Sequence, residues 1–329
     1  MRQSKLFFPV ANRQIKFFKR PKRTSFLSSL FPITLFCNII GVWPIEIKIR
    51  ENTLVTKTSI LKSIHTLLLL ILQVTLPSIF TCEQNYNSDS SINVVIFEEV
   101  VNKYLYTILG CIFIVFTLIQ CDKMKKFCRY IFRIDQNLIF LCKDIDYNGK
   151  RKQILLNLIC GLFFYMAVVL SYYFTAENLV EIIKPMLILI IFTVLANFSS
   201  SVELIKQRYQ IINDYVGNFS QNKIKNSFGT VLTPLDELKM LSTICSLLCD
   251  ASEVVNATYT FQLVCFVVLA FLGTLFGMFS TVRAMMDTHT EEDFNFEKMV
   301  LKNCSVSVFM AWMLVRAIVV CSSTRNEVS

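Results

Sequence analysis

Six apolar blocks, each about as long as an α-helix needs to cross a bilayer, leave this 329-residue chain little room for any other architecture. They run 59–81, 104–121, 154–175, 179–200, 254–282 and 299–321. At about 1.5 Å rise per residue the shortest reaches roughly 27 Å and the longest over ~40 Å, enough to cross with tilt or an extension. Composition agrees: hydrophobic residues make up 54% and charged residues 17%, and mean hydropathy is +0.52, whereas a soluble domain carries roughly 25% charge. The expected fold is all-α, a polytopic transmembrane helical bundle, and a soluble enzyme is excluded.

A seventh apolar block, 26–47, is interrupted by Pro32, Gly41 and Pro44 and followed at once by Lys48 and Arg50. Lys and Arg near span ends stay cytoplasmic. With 26–47 left out of the span count, 26 of the 33 basic residues fall on one side, and only Lys103, Lys184, Arg283 and Lys298 fall on the other. If the block crossed, the eight basic residues from Arg2 to Arg23 would be expelled outside. The N-terminus is therefore expected in the cytoplasm, with 26–47 an interfacial or re-entrant helix. The chain then divides into a basic cytoplasmic N-terminus (1–58), spans one to four (59–200), a cytoplasmic helical segment (201–253), and spans five and six with a short cytoplasmic tail (254–329). No short apolar core with a small-residue cleavage site marks a signal peptide.

The outer loops carry 11 acidic and 4 basic residues, a net charge of −7. Such a rim concentrates cations, as a channel vestibule does; obedience to the positive-inside rule leaves the same asymmetry, so both readings stand. The basic N-terminus fits contact with anionic lipid, each basic residue contributing about 1 kcal/mol, and nucleic acid is not needed to explain it. Within the inner segment Val202, Ile205, Tyr209, Ile212 and Val216 recur at helical steps. A second helix starts near Thr233, with Pro234 in its first turn and Asp236 and Glu237 favouring its N-terminus, and runs toward the fifth span.

No catalytic constellation is present: the two histidines, His65 and His289, belong to no metal or nucleophile motif, and no phosphate-binding Gly-rich loop occurs. The twelve cysteines scatter through apolar or basic surroundings and imply no disulfide framework; Cys245 and Cys249 lack the second pair a zinc site requires. No cofactor and no metal are expected. Polar residues inside spans are costly and informative, and Gln73, Gln120, Asn157, Asn197, Asn256, Gln262 and Arg316 qualify, as interhelical hydrogen-bonders or as ligand contacts. Asn197, Asn256 and Asn303 begin glycosylation triplets, but burial in spans argues against modification. Aromatics gather toward the outer half of the third span, where Tyr165, Tyr172 and Tyr173, with Tyr106 of the second, are candidate ligand-binding residues of an outer pocket. An interfacial aromatic belt accounts for the same residues.

Three stretches resemble the insect chemoreceptor superfamily, specifically its gustatory receptors. Phe31 to Ile45 (FPITLFCNIIGVWPI) is similar to that family's segment before the first span, with Gly41 and Pro44 at its Gly-then-Pro spacing. Val202 to Tyr215 (VELIKQRYQIINDY) resembles its inner helix, through Arg208, Tyr209 and Asn213, and Leu238 to Phe271 resembles its helix leading into the fifth span. The resemblance implies a ligand-gated, non-selective cation channel subunit responding to small tastants, a homo- or hetero-tetramer with related subunits, in the cell membrane. It also implies a seventh, pore-lining span with a Thr-Tyr, five apolar residues, Gln-Phe signature; the expectation here is that this span is lacking, since Ser329 follows the sixth span by eight residues and Thr258, Tyr259 and Gln262 lie on the wrong span at the wrong spacing. Two other classes remain as alternatives. A G-protein-coupled receptor requires 26–47 to cross, and a transporter should show internal repeats that the sequence does not display. Epitope tags at the two termini should both stain only after permeabilisation; an N-terminal tag exposed on intact cells contradicts the cytoplasmic placement.

Overall fold

The computed structural model describes residues 25–50, 53–81, 107–141, 145–175, 179–217, 234–287 and 293–328. In chain order these form helix α1 (Ser25–Ile39), strands β1 (Ile45–Arg50) and β2 (Thr53–Thr58), and helices α2 (Ile60–Thr81), α3 (Thr107–Ile119), α4 (Cys121–Phe140), α5 (Tyr147–Thr175), α6 (Leu179–Gly217), α7 (Pro234–Asp287) and α8 (Asp293–Val328). Four of them, α5 to α8, are long and apolar enough to cross a membrane, or five if α3 and α4, bent by 56° at Gln120, count as one broken span. The chain is thus a helical membrane protein.

The helices outrun the bilayer. At about 1.5 Å per residue the 54 residues of α7 extend about 81 Å and the 39 of α6 about 58 Å, against an apolar layer of about 30 Å. One end of the bundle projects as a helical assembly, carrying Lys123, Lys125 and Lys126 on α4 and Lys150, Arg151 and Lys152 on α5, and is called the basic end below. Pro234 and the acidic Asp236 and Glu237 start α7 as the sequence suggested, and it continues unbroken into the apolar stretch.

Burial separates the core helix from the lipid-facing ones. Of the most apolar stretch of α6, 83% is buried within the protein, against 33% for α5, 17% for α7 and 28% for α8. On α7, Phe261, Val264, Val268, Phe271, Leu275, Met278 and Val282 are all exposed at alternating three- and four-residue steps, one continuous apolar stripe suited to lipid. The stripe on α5 runs Leu156, Ile159, Phe163, Met166, Leu170 and Tyr173. The opposite face of α5 closes on α6 and α8, and Gly161 permits the approach, since a Cβ there would lie 2.4 Å from Phe192 Cζ and 2.9 Å from Trp312 Cη2.

The block 26–47 is corrected in detail: it is not one interfacial helix. Helix α1 covers about 22 Å at its 15 residues, too short to span. It buries Ser29, Leu30, Ile33 and Cys37 against α5 and α6. Gly41 then turns the chain with φ +79°, Val42, Trp43 and Pro44 follow, buried, and Ile45 opens a hairpin in which β1 pairs antiparallel with β2, Ile45 opposite Thr58 and Arg50 opposite Thr53. The all-α expectation therefore misses a small sheet. Its base is tied to α2: Ser59 N–H donates to Pro44 O at 2.8 Å, Lys62 Nζ to Ile45 O at 3.0 Å, and the Thr66 hydroxyl to Gly41 O. Lys125 of α4 donates to Thr58 Oγ1 at 2.7 Å.

Gly41 is required by its left-handed φ, which side chains rarely adopt. Gly41→Ala should destabilise the protein by about 1–3 kcal/mol, read as a lower melting temperature of the purified protein in detergent. Gly217→Ala, with nothing within 4 Å of the new Cβ, should leave it unchanged or raise it; equal melting of the Gly41 variant and the unaltered protein would refute the turn.

Candidate functional site

The candidate tyrosines do not share one surface. Tyr165 and Tyr172, seven residues apart, lie on the buried face of α5, about 10.5 Å along the axis. The Tyr165 ring meets Phe309 of α8 at 6.3 Å between centroids, and the Lys302 ammonium of α8 stands 5.6 Å over the Tyr172 ring. Between them the Ser171 and Ser305 hydroxyls share a 2.7 Å hydrogen bond. Tyr173 is 72% exposed on the lipid-facing stripe, with its ring edge-on to Phe174. Tyr106 lies outside the described residues.

The Tyr165–Phe309 contact leads toward the basic end and into a cavity between α5, α6 and α8. It holds about 350 Å³ of empty space including its mouth, and is lined by Ile154, Asn157, Leu158, Phe192, Leu195, Ala196, Ser199, Ser200, Trp312, Met313 and Arg316. Its aromatic wall is continuous with Tyr165: Phe309 lies 5.8 Å from Phe192 and stacks on Trp312 at 6.1 Å with 14° between planes. Its aromatic wall with a few polar groups is the kind of lining that small-molecule sites have.

Polar chemistry collects behind Asn157 and Arg316 of the lining. Glu203 of α6, buried, stands between two cations, with Lys150 Nζ 3.2 Å from Oε2 and Arg316 Nη2 3.2 Å from Oε1. Asn157 Nδ2 also donates to Oε1 at 3.4 Å. The Lys150 ammonium takes its hydrogen bond at Gln153 Oε1, 2.8 Å away, so its contact with Glu203 is an ion pair without hydrogen-bond geometry and Oε2 accepts none. Arg316 also sits 5.9 Å over the Trp312 ring.

One turn and a half further along α6 lies a second charged group. Arg208, with no exposed surface, grips Asp135 of α4 through two parallel bonds, Nε to Oδ1 and Nη2 to Oδ2, each 2.9 Å. The Tyr147 hydroxyl donates to the same carboxylate at 2.9 Å, and Arg208 Nη1 finishes on Leu204 O and Gln207 Oε1. Beyond it Gln210 and Asn213 reach Glu327 of α8 at 2.7 Å, and Tyr215 reaches Glu237 of α7 at 3.2 Å.

A further cavity, with about 390 Å³ of empty space including its opening, lies where the Val42–Ile45 segment meets the α3–α4 bend, α6 and α7, lined in part by Trp43, Gln120, Asn197, Tyr259 and Gln262. There Gln262 Nε2 donates to Phe113 O and Thr117 Oγ1 at 3.3 and 3.4 Å, the interhelical bonding expected of an intraspan amide. Among the described residues no three His, Cys, Asp or Glu gather as a metal site, and the ten described cysteines are free thiols.

The family described as 7tm chemosensory receptor matches residues 30–329, nearly the whole chain, including every helix that lines either cavity. The chain belongs to the 7tm chemosensory receptor family. No curated protein matches it. In this chemosensory receptor the residues singled out by resemblance acquire physical roles: Gly41 makes the left-handed turn, Arg208 fills the buried ion pair, and Asn213 binds the end of α8. Arg316 and Asn157, noticed as polar residues in spans, converge on Glu203. Glu203 and Lys150 themselves gave no sequence signal, because both fall among the charged residues of segments read as lying outside the spans; only the unpaired look of Arg316 inside an apolar block pointed to a partner.

Proposed function

We propose that this chain is a gustatory-type chemoreceptor, a subunit of a ligand-gated cation channel in the cell membrane that answers to small tastants. The observation that carries the reading is the aromatic-walled cavity between α5, α6 and α8, in a chain matched to a chemosensory receptor family from residue 30 onward. Six crossings, by α2, by the block 104–121 that contains α3, and by α5, α6, α7 and α8, put the basic end and both termini in the cytoplasm, in keeping with the distribution of Lys and Arg. The acidic outer loops then supply the cation-attracting rim. Related subunits complete a tetramer, the projecting ends of α4, α6, α7 and α8 serving its assembly.

A ligand entering near Tyr172 and Tyr165 and resting against Phe309, Phe192 and Trp312 touches α5, α6 and α8 together. It opens the channel to the extent that it binds the open arrangement of these helices more tightly than the closed one, each tenfold difference in affinity contributing about 1.4 kcal/mol to the shift. Tyr173, on the lipid stripe, contributes as an interfacial anchor.

Tyr165→Ala and Tyr172→Ala should each raise the half-maximal concentration of an agonist found by screening by roughly 10-fold or more, the loss of a buried aromatic contact of about 1.5–3 kcal/mol. Tyr173→Ala should leave it in place. The readout is calcium entry in cells expressing the chain with related subunits, normalised to surface expression; unchanged curves for Tyr165→Ala and Tyr172→Ala would sink the assignment.

A further inference from the structure

Among the described residues, the charged cluster behind the cavity sets two cations against one carboxylate. Glu203 is the carboxylate between Lys150 and Arg316, and the buried Asp135 further along the bundle is taken up by Arg208 and Tyr147. Lys206, one turn from Glu203 on α6, donates to the Ser323 hydroxyl. The side chains of Lys150 and Glu203 are 9% and 8% exposed, and an unbalanced charge in such surroundings costs several kcal/mol.

Arg316 is also under-used. Its guanidinium carries five N–H donors, and its hydrogen bond among the described residues is the one from Nη2 to Glu203. The group lines the cavity and keeps 23% of its side chain exposed. Beside it on the lining stand the hydroxyls of Ser199 and Ser200 and the carboxamide of Asn157. The remaining wall is apolar and aromatic, Phe192, Leu195, Trp312 and Met313 among it.

We infer that this cavity binds an amphipathic anion, its carboxylate or phosphate held by Arg316 with Ser199 and Ser200 and its apolar body lying against Phe192 and Trp312. The inference rests on the reading of the cavity as the ligand site and adds the chemical class of the ligand. A planar guanidinium suits a carboxylate or phosphate in a two-bonded grip, and the incoming charge balances the second cation around Glu203. The same chemistry is offered by a free organic acid and by the headgroup of an anionic lipid.

The test uses the full chain carrying Trp43→Phe, in nanodiscs of neutral phosphatidylcholine, so that Trp312 emission reports the cavity. A panel of carboxylates from benzoate to octanoate is titrated, each against its uncharged amide. Saturable binding of an acid at least 10-fold tighter than of its amide is expected. Arg316→Gln should weaken the acid by roughly 10- to 100-fold and spare the amide. Glu203→Gln, which releases Arg316 and removes the competing carboxylate, should tighten the acid, a direction misfolding cannot produce. Repeating the titration in discs containing phosphatidylglycerol separates the sources: a weaker apparent affinity that Arg316→Gln abolishes assigns the site to the lipid headgroup, and an unchanged affinity assigns it to free acids. Equal affinities for acid and amide overturn the anion and leave the cavity as ligand site; no saturable change in Trp312 emission with any compound overturns both.

Discussion

An arginine with no exposed surface, set in the middle of a helix, has to be answered by an anion held in place by the fold, and most of the basic end follows from that requirement. Arg208 costs several kcal/mol to desolvate. The cost is offset only because Asp135 meets it with two 2.9 Å bonds while Tyr147 and the Leu204 carbonyl satisfy what remains. Those partners sit on α4, on the first turn of α5 and on α6 itself. One buried pair therefore fixes the direction in which α4 leaves the bend at Gln120, where α5 begins and how α6 is rotated between them. The Glu203 cluster above it and the contacts of Gln210 and Asn213 with Glu327 below it inherit that rotation.

Rotation of α6 in turn decides which of its residues face the cavity. Phe192, Leu195, Ala196, Ser199 and Ser200 line it because Arg208 and Glu203, further along the same helix, are locked on α4, α5 and α8. Gly161 then lets α5 come close enough for the ring of Phe192 to pass over its backbone, which brings Tyr165 to Phe309 and closes the wall. The site and the ion pairs are parts of one arrangement rather than a pocket resting on a scaffold.

Much of this was legible in the residues, and the misses have physical causes. Block length gave the helices, and Pro234, Asp236 and Glu237 gave the start of α7. Helix α4 was there to be read as well: Cys121, Met124, Phe127, Cys128, Ile131, Ile134 and Leu138 recur at helical steps and are all buried, but its lysines drew attention to sidedness instead of periodicity. The hairpin hid for a different reason. Ile45, Ile47 and Ile49 alternate with Glu46, Lys48 and Arg50, a period of two, yet the first of them look like the tail of an apolar block. Tyr165, Tyr172 and Tyr173 could be separated only by the helical phase of α5 against its neighbours, since adjacent residues point about 100° apart. The buried pairs were beyond reach because Asp135 and Arg208, or Lys150 and Glu203, are far apart in sequence and each looks like an ordinary charge on a polar segment.

The dependence of the basic end on its buried pair is measured most directly by a double-mutant cycle on the purified protein, using denaturant or thermal unfolding. Asp135→Leu and Arg208→Met should each destabilise by about 3–5 kcal/mol, because each leaves an uncompensated buried charge. The two together should recover most of that loss, with a coupling of 0.5–3 kcal/mol or more. Single variants as stable as the unaltered protein, or a double variant whose loss equals the sum of the two, would contradict the account.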